Sequence, residues 1–175
     1  HFADYQPENY EGNFLGPVSV TQALLQSRNI PAVEMAQRLK SPDLYDLLKQ
    51  ADIVLPQEKA HYGLSLVLGG AELSLQQLAG LYAALANGGK WQPLQTLKDG
   101  SSEQSVPLLS PESSYMLGDI LAQNIRTDIY NKAIKTKLPT YWKTGTSNGL
   151  RDAWTAGYFG NYTLVVWFGN FNNKS

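Results

Sequence analysis

The sequence predicts an α+β fold in which an antiparallel sheet is flanked by helices. Near the end of the chain, two runs rich in β-branched and aromatic residues, 151–159 and 162–169, flank the pair Gly160-Asn161. A two-residue turn of this composition between two such runs is typical of a β-hairpin. Earlier in the chain, a leucine-rich stretch begins after Ser74 and has its apolar residues at helical spacing. Helices followed by a run of strands indicate the α+β class.

A third strand is predicted just before this hairpin, over about residues 140 to 147. Tyr141 and Trp142 favour strands, and Pro139 precedes them, where it removes no ladder hydrogen bond. The last third of the chain therefore predicts three successive antiparallel strands. The first of them contains Lys143 and is expected at or near an exposed edge.

Helices are predicted along the first two thirds of the chain. Pro17 can occupy the first turn of a helix over residues 17–26. Pro31 disfavours the helical conformation for the residue before it, so residues 27–30 are predicted to be a connector. The remaining predicted helices begin at about Ala32, run over 42–51, extend from Ser74 to Asn87-Gly88-Gly89, and run from Ser110 to about residue 124.

The intervening segments predict loops and one small hairpin. Residues 57–70 contain several glycines, which predicts irregular structure. The remaining predictions are a short strand over 91–97, a polar hairpin tip over 98–105, a returning strand over 106–109 and a polar connection over 126–137.

Composition excludes several classes of function. The 175 residues can form one domain with a substantial core. With 14 Lys plus Arg against 15 Asp plus Glu, the net charge of −1 offers no basic surface for nucleic acid or anionic lipid. The absence of cysteine excludes disulfides and a cysteine nucleophile. No apolar run approaches the roughly 18 residues that span a bilayer.

Other catalytic patterns do not fit. A nucleotide-binding P-loop needs Ser or Thr after Gly-Lys, whereas Trp91 follows Gly89-Lys90. Only His1 and His61 could serve a metal site or a Ser-His-Asp triad, and there is no Gly-x-Ser-x-Gly motif. His61 is therefore interpreted as a packed or surface loop residue, and the prediction includes no metal.

The first candidate site is Lys143-Thr144-Gly145-Thr146. A glycine inside a strand often marks a place where another backbone approaches closely. A strand edge of this kind can pair with an extended peptide, while the threonine hydroxyls and the lysine ammonium bind a carboxylate. The alternative is an ordinary surface strand with a solvated lysine.

The second candidate site is Ser27 with Asn29, which are predicted to lie on a tight loop between two helices. A rigid helical frame can display polar side chains on such a loop. The alternative is a structural role for Asn29 as the N-cap of the next helix, with Pro31 and Glu34 in its first turn.

Together the two segments resemble the penicillin-binding transpeptidases of cell-wall synthesis, whose signature comprises Ser-x-x-Lys, Ser-x-Asn and Lys-Thr-Gly. The resemblance covers essentially the whole chain and points to the transpeptidase domain of class A proteins, in particular the penicillin-binding protein 1C group. It implies the penicillin-binding protein/β-lactamase-like serine transpeptidase fold. The segments that carry it are Pro7-x-Asn9-Tyr10, Gly16-Pro17-Val18, Ala23 to Val33, Lys143 to Ser147, and Asp152-Ala153-Trp154.

The resemblance implies a role for each candidate residue, and no cofactor. Lys143 would provide positive charge for the substrate carboxylate, which Thr144 and Thr146 would orient at the Gly145 edge. The Thr146 backbone amide would contribute to the oxyanion hole. Ser27 would pass a proton to the leaving nitrogen, and Asn29 would hold the substrate amide and the catalytic lysine.

One element of the family signature is absent, because no serine of this sequence is followed by a lysine three positions later. In the family, this nucleophile motif precedes the Ser-x-Asn loop, together with two of the five strands of the central sheet. Residues 1–175 are therefore expected to be the C-terminal part of a single transpeptidase domain. The missing N-terminal part is expected to complete the core, and this segment alone is expected to be inactive.

The resemblance also implies a cellular setting. Expected partners are peptidoglycan stem peptides and β-lactam antibiotics, without nucleic acid and without membrane contact from this segment. The expected location is the periplasm, with the parent protein anchored by an upstream transmembrane helix. A D,D-carboxypeptidase and a non-catalytic β-lactam sensor or peptide-binding module remain alternatives. No glutamate has asparagine four residues later, which disfavours a class A β-lactamase.

Overall fold

The computed structural model of the protein describes residues 7–9, 12, 14, 16–97, 104–124 and 138–170. These residues form two compact units, residues 1–72 and 73–175. Helices dominate the first unit and an antiparallel sheet ends the second, which confirms the α+β prediction. The predicted connection over 126–137 and most of the predicted hairpin tip over 98–105 lie outside the described residues.

The first unit is helical and packs around the second of its helices. Val33 of that helix is fully buried, and Leu48 and Leu66 from two later elements are almost fully buried. Burial of such side chains supplies about 1.5–3 kcal/mol each. The elements of this unit are α1 (Val20–Leu25), α2 (Asn29–Arg38), α3 (Leu44–Gln50), α4 (Lys59–Tyr62) and a 3₁₀ helix (Gly63–Leu68).

Three sequence predictions for this unit are wrong. The first is the helix from residue 17, because α1 begins at Val20 with Ser19 as its N-cap, which leaves Pro17 outside the first turn.

The other two concern α2 and the segment 57–70. Helix α2 begins at Asn29, before the predicted Ala32, because a proline such as Pro31 is tolerated in the first helical turn. Much of residues 57–70 is helical rather than irregular. There Gly63, with φ of 49°, follows the last residue of α4, so this glycine separates two helical segments.

In its described residues, the second unit contains two α-helices, a short 3₁₀ helix (Asn148–Leu150), a small hairpin and a three-stranded sheet. Its elements are α5 (Leu75–Ala86), β1 (Lys90–Trp91), β2 (Val106–Pro107), α6 (Pro111–Leu121), β3 (Tyr141–Thr146), β4 (Asp152–Phe159) and β5 (Tyr162–Gly169). Strands β1 and β2 pair antiparallel as predicted. Strand β1 is much shorter than the predicted 91–97, because Pro93 has no amide proton to donate to a ladder.

The main sheet confirms the three-strand prediction. Its order is β3-β4-β5 and both pairings are antiparallel. The Gly160-Asn161 turn joins β4 to β5, with Phe159 opposite Tyr162. Strand β3, which carries Lys143, is an edge strand of the described sheet.

Helices α5 and α6 cover one face of this sheet. Tyr141 and Tyr158 stack on that face with ring centroids 4.6 Å apart. Gly118 of α6 lies against them, since a Cβ there would come within 2.9 Å of the Tyr158 hydroxyl. Burial raises the pKa of Tyr82 in α5 to about 12. This packing fixes the position of β3, and therefore of the candidate lysine, against the helices. None of the helices in the described ranges is long and apolar enough to cross a membrane.

Candidate active site

Lys143 occupies the middle of the edge strand β3 and is half-buried. Its Nζ donates a hydrogen bond to the carbonyl oxygen of Thr144 at 2.9 Å. Burial lowers the pKa of Lys143, because removing an ammonium from water disfavours its charged form. The alternative interpretation, an ordinary surface strand with a fully solvated lysine, therefore does not fit the structure.

The register of β3 determines which backbone groups face the open edge. Thr146 lies opposite Ala153, and the amide of the next residue, Ser147, donates to the carbonyl of Asp152 at 2.9 Å. Amides in an antiparallel ladder alternate in direction. The amides of Thr144 and Thr146 therefore point away from β4, toward the open side of β3. They are available to pair with an extended ligand there.

Gly145 leaves open space on the face of β3 that it shares with Lys143. A Cβ placed on Gly145 would have no protein atom within 4 Å, so the residue is not required for packing inside the described structure. Thr144, Gly145 and Thr146 are all exposed. The four consecutive residues thus present one cation, two hydroxyls and outward backbone amides along one open strand.

The other side of β3 is closely packed. A Cβ on Gly157 of β4 would lie 2.6 Å from the carbonyl oxygen of Tyr141 and 2.8 Å from the Cβ of Trp142. On the open side of β3, two positions before Thr144, the side chain of Asn124 donates to the carbonyl of Trp142. These contacts hold the strand on both sides of the residue that precedes Lys143.

Ser27 lies in the turn between α1 and α2, as predicted, in a left-handed conformation with φ of 53°. Its amide donates to the carbonyl of Leu24, and the amide of Arg28 donates to that of Ala23. This pair of bonds is the Schellman pattern that ends a helix, in which glycine usually occupies the left-handed position. A serine there carries a conformational cost of roughly 1–2 kcal/mol, and its side chain is exposed.

Asn29 is the first residue of α2, and the residue at the N-cap position is Arg28. The N-cap interpretation of Asn29 is therefore wrong, and so is its placement on the loop. The Asn29 side-chain amide instead donates to the backbone carbonyl of Glu8 at 2.8 Å. An amide NH₂ has a second donor and an acceptor oxygen, so this bond leaves the chemistry of a substrate contact intact.

Asn9 supports the same turn from the preceding segment. It is buried, and its Oδ1 accepts a bond from the amide of Ile30 at 3.4 Å. Sequence reasoning assigned Asn9 no role, although the motif Pro7-x-Asn9-Tyr10 was part of the family resemblance. Asp152 was likewise quoted only as part of a motif. Its carboxylate accepts from the indole of Trp167 at 2.9 Å.

The structure therefore brings the candidate residues together in two groups. Ser27 and Asn29 lie two positions apart in the first unit, and Lys143 to Thr146 lie along one strand of the second unit. His61 is on α4, where its ring packs edge-on against Tyr62 at 5.3 Å. Within the described ranges, no group of three or more histidine, cysteine or acidic side chains could hold a metal ion.

The sequence matches known families over nearly its whole length. Residues 2–174 match the family model of the penicillin binding protein transpeptidase domain. Penicillin-binding protein 1C of Escherichia coli (strain K12) is 34% identical over 168 residues, which are 95% of this chain and 21% of that protein. Penicillin-binding protein 1F of Bacillus subtilis (strain 168) is 30% identical over 186 residues, covering 96% of this chain and 25% of that protein.

Solved structures show the same fold. Penicillin-binding protein 1A from Haemophilus influenzae superimposes with a TM-score of 0.77 at 21% identity, over 98% of this chain and 32% of that one. Penicillin-binding protein A from M. tuberculosis, solved as an imipenem acyl-enzyme complex, superimposes with a TM-score of 0.71 at 19% identity, over 95% of this chain and 46% of that one. With the family match over residues 2–174, these results confirm the predicted family: the chain belongs to the transpeptidase domains of penicillin-binding proteins.

Proposed function

We propose that this chain is part of a serine D,D-transpeptidase that cross-links peptidoglycan stem peptides and is acylated by β-lactams. The observation that carries the proposal is the open edge of β3, where Lys143 and the outward amides of Thr144 and Thr146 lie along one strand. An extended peptide that ends in a carboxylate matches this edge, because the amides pair with its backbone and the ammonium attracts its terminal charge.

The proposed reaction is acyl transfer through a serine ester. The serine oxygen attacks the penultimate D-alanyl carbonyl, the peptide C–N bond breaks, and the terminal D-alanine leaves as an amine. The amine of a second stem peptide then attacks the ester, which forms the cross-link and releases the serine. The Thr146 amide would stabilise the oxyanion, a contribution of about 3 kcal/mol to the barrier.

Ser27 and Asn29 take the proton-transfer and positioning roles in this scheme. Ser27 passes the proton that the serine loses to the nitrogen of the leaving D-alanine. Asn29 uses its remaining amide groups to hold the substrate amide and the general-base lysine. The exposed Ser27 side chain and the anchoring of Asn29 by the Glu8 carbonyl support these roles.

The nucleophilic serine and its lysine are proposed to come from a part of the polypeptide outside these 175 residues. The absence of a Ser-x-x-Lys motif supports this. An exposed apolar face on the sheet supports it as well, since soluble proteins rarely leave such faces uncovered. The face consists of alternate residues of β5, Tyr162, Leu164, Val166 and Phe168, of which Phe168 is 81% exposed.

The matched relatives are several times longer than this chain, and the cellular setting follows from the proposed activity. The proposed reaction joins stem peptides of the cell wall, so the parent protein is proposed to work in the periplasm, anchored by a helix elsewhere in its sequence. Its partners there are stem peptides and β-lactams.

Intact mass of the full-length protein before and after incubation with penicillin tests the proposal. We expect a gain of one drug mass, and slow acylation in Lys143→Ala and Ser27→Ala variants that remain folded. Normal acylation of both variants would contradict the assigned roles. Incubation with stem peptides then separates the activities. Cross-linked dimers indicate a transpeptidase, D-alanine release without dimers indicates a carboxypeptidase, and acylation by the drug without peptide turnover indicates a sensor.

A further inference from the structure

We propose that Asp152 is a positioning residue that fixes the end of β3, and with it the backbone amide of Thr146. This inference rests on the function proposed above, in which that amide is an oxyanion donor. Asp152 begins β4 and contacts both neighbours in the sheet: Ser147, directly after β3, and Trp167 in β5. We call these three residues the Ser147–Asp152–Trp167 clamp.

The backbone of Asp152 closes the loop between β3 and β4. Its carbonyl accepts from the amide of Ser147 at 2.9 Å, and its own amide donates to the Ser147 hydroxyl at 2.9 Å. Ser147 is thus held by two bonds to one residue. Because Thr146 immediately precedes Ser147, its amide moves only as far as these bonds allow.

The side chain of Asp152 ties this closure to the third strand. Its Oδ1 accepts a hydrogen bond from the indole nitrogen of Trp167 at 2.9 Å. In the register Asp152 lies opposite Gly169, so Trp167 is its diagonal neighbour on the same face of the sheet. Trp167 on β5 therefore helps to hold the loop between β3 and β4, although β5 is not adjacent to that loop in the sequence.

Gly169 leaves the space in which this bond forms. A Cβ at that position would lie 2.8 Å from a ring carbon of Trp167 and 2.9 Å from Oδ1 of Asp152. Any other residue would displace both partners of the bond. The glycine opposite Asp152 is thus part of the same arrangement.

The loop that the clamp closes is conformationally strained. Gly149 and Leu150 both have left-handed backbones, with φ of 76° and 57°. Leu150 is not a glycine, so this conformation is unfavourable for it. A strained loop keeps its shape only where the surroundings hold it, and the clamp provides bonds at the two ends of this loop.

The test compares four single variants and one double variant of the full-length protein. Asp152→Ala and Trp167→Phe each remove one partner of the side-chain bond, whereas Asp152→Asn keeps an acceptor oxygen at the same place. Trp154→Phe is the matched control, because Trp154 packs on Trp167 with centroids 6.3 Å apart and lies outside the clamp. The readouts are the non-covalent affinity for a penicillin, the acylation rate constant, and hydrogen exchange of the segment 141–152.

We expect Asp152→Ala and Trp167→Phe to slow acylation about tenfold to a hundredfold with little change in affinity, since small misplacements of a catalytic group have effects of that size. The segment 141–152 should exchange faster in both variants. Asp152→Asn should stay within about threefold of the wild type, because a neutral acceptor weakens the bond without removing it. The double variant Asp152→Ala/Trp167→Phe should be no slower than either single variant.

Acylation and exchange at wild-type rates in Asp152→Ala would overturn the proposal. So would an Asp152→Asn variant as slow as Asp152→Ala, since the role would then require the charge rather than the bond. If the wild-type protein is not acylated at all, the proposed function fails. The exchange rates of the four variants still decide whether the clamp holds the end of β3.

Discussion

The two groups of candidate residues are held in place in different ways. Lys143 belongs to a strand whose position is set by pairing along its whole length with β4 and by packing against α6. Ser27 belongs to a three-residue turn. That turn is held by a helix-ending pattern and by two hydrogen bonds between the start of α2 and a segment 21 positions earlier. A strand distributes its constraints over many bonds, whereas a turn depends on a few. The two groups should therefore differ in which substitutions damage them.

They also differ in where conformational strain lies. The backbone of Ser27 is left-handed without being glycine, so the turn stores strain at the residue proposed to transfer a proton. Gly145, by contrast, is a glycine with open space around it, so the strand has spare room at the residue proposed to meet the substrate. The serine at the turn provides a hydroxyl at a cost in stability, whereas the glycine in the strand leaves space for a ligand.

The largest effect is expected from closing the tight side of β3. Gly157→Ala should destabilise the second unit by about 1–3 kcal/mol or more, the usual cost of overpacking, because the new Cβ would overlap the backbone of Tyr141. Hydrogen exchange of the β3 and β4 segments measures this loss. Gly145→Ala is the control on the facing strand. It should leave exchange unchanged and still slow acylation, because its methyl group would stand on the same face of β3 as Lys143, in the space proposed for the substrate. Equal exchange in the two variants would contradict the packing argument.

A second effect is expected at the turn. Asn9→Ala removes the acceptor for the half-buried amide of Ile30, at a cost of about 1 kcal/mol. Faster exchange around residues 27–31 and slower acylation are the expected results. Glu8→Ala is the matched control, because Asn29 uses only the backbone carbonyl of Glu8. If Glu8→Ala were as impaired as Asn9→Ala, the loss could not be attributed to the hydrogen bond that the Asn9 side chain accepts.

The sheet could be predicted from the sequence because its signals are local. Aromatic and β-branched runs, one Gly-Asn turn and a proline at the start of β3 are all visible within a few residues, and the structure has each strand where these signals place it. The starts of α5 and α6 were also predictable, since Ser74 and Ser110 are their N-caps and accept backbone amides through their side chains. The position of Lys143 on an edge strand followed from the predicted order of the three strands, in which its strand comes first.

The turn could be predicted only in part, because its decisive contacts are remote. Nothing near Asn29 indicates that its side chain binds a carbonyl 21 positions earlier. The left-handed Ser27 is also hidden, since serine rarely takes the position that glycine occupies at a helix end. The glycines of residues 57–70 misled the prediction, because Gly63 and Gly69 end helical segments there instead of interrupting irregular structure. Which amides of β3 point outward could not be predicted, because that depends on the register with β4, which only the structure supplies.

A smaller effect on stability is expected from relieving the strain at Ser27. Ser27→Gly should leave the first unit as stable as the wild type or more stable by up to about 1 kcal/mol, because glycine takes the left-handed conformation without penalty. Ser27→Ala keeps the strain and should not gain stability. Both variants lack the hydroxyl, so both should be acylated slowly. Thermal unfolding and acylation rates separate the two effects, and a Ser27→Gly variant that is clearly less stable would refute the strain argument.

The smallest effects concern two lysines whose pKa values shift in opposite directions. Burial lowers the pKa of Lys143, so between that lowered value and the ordinary 10.5 the unfolded chain binds more protons than the folded one. Stability due to Lys143 should therefore rise as the pH increases through this window. Lys59 in the first unit is paired with Asp43 and Asp46, and hydrogen bonds to their carboxylates raise its pKa. Its stabilising contribution is complete below 10.5 and should be lost as the pH rises through the raised value.

Replacing each lysine by methionine separates these signs. The difference in thermal midpoint between Lys143→Met and the wild type should become less favourable to the variant as the pH rises toward 10.5, because the wild type loses its cost of burying a charge. The corresponding difference for Lys59→Met should change in the opposite direction, at higher pH, and should shrink in concentrated salt, since exposed ion pairs are screened. The same sign for both variants would mean that burial does not govern Lys143. Opposite signs would show that burial destabilises the charged form of Lys143, whereas the ion pairs stabilise the charged form of Lys59. A bound substrate carboxylate can offset the cost of burial at Lys143.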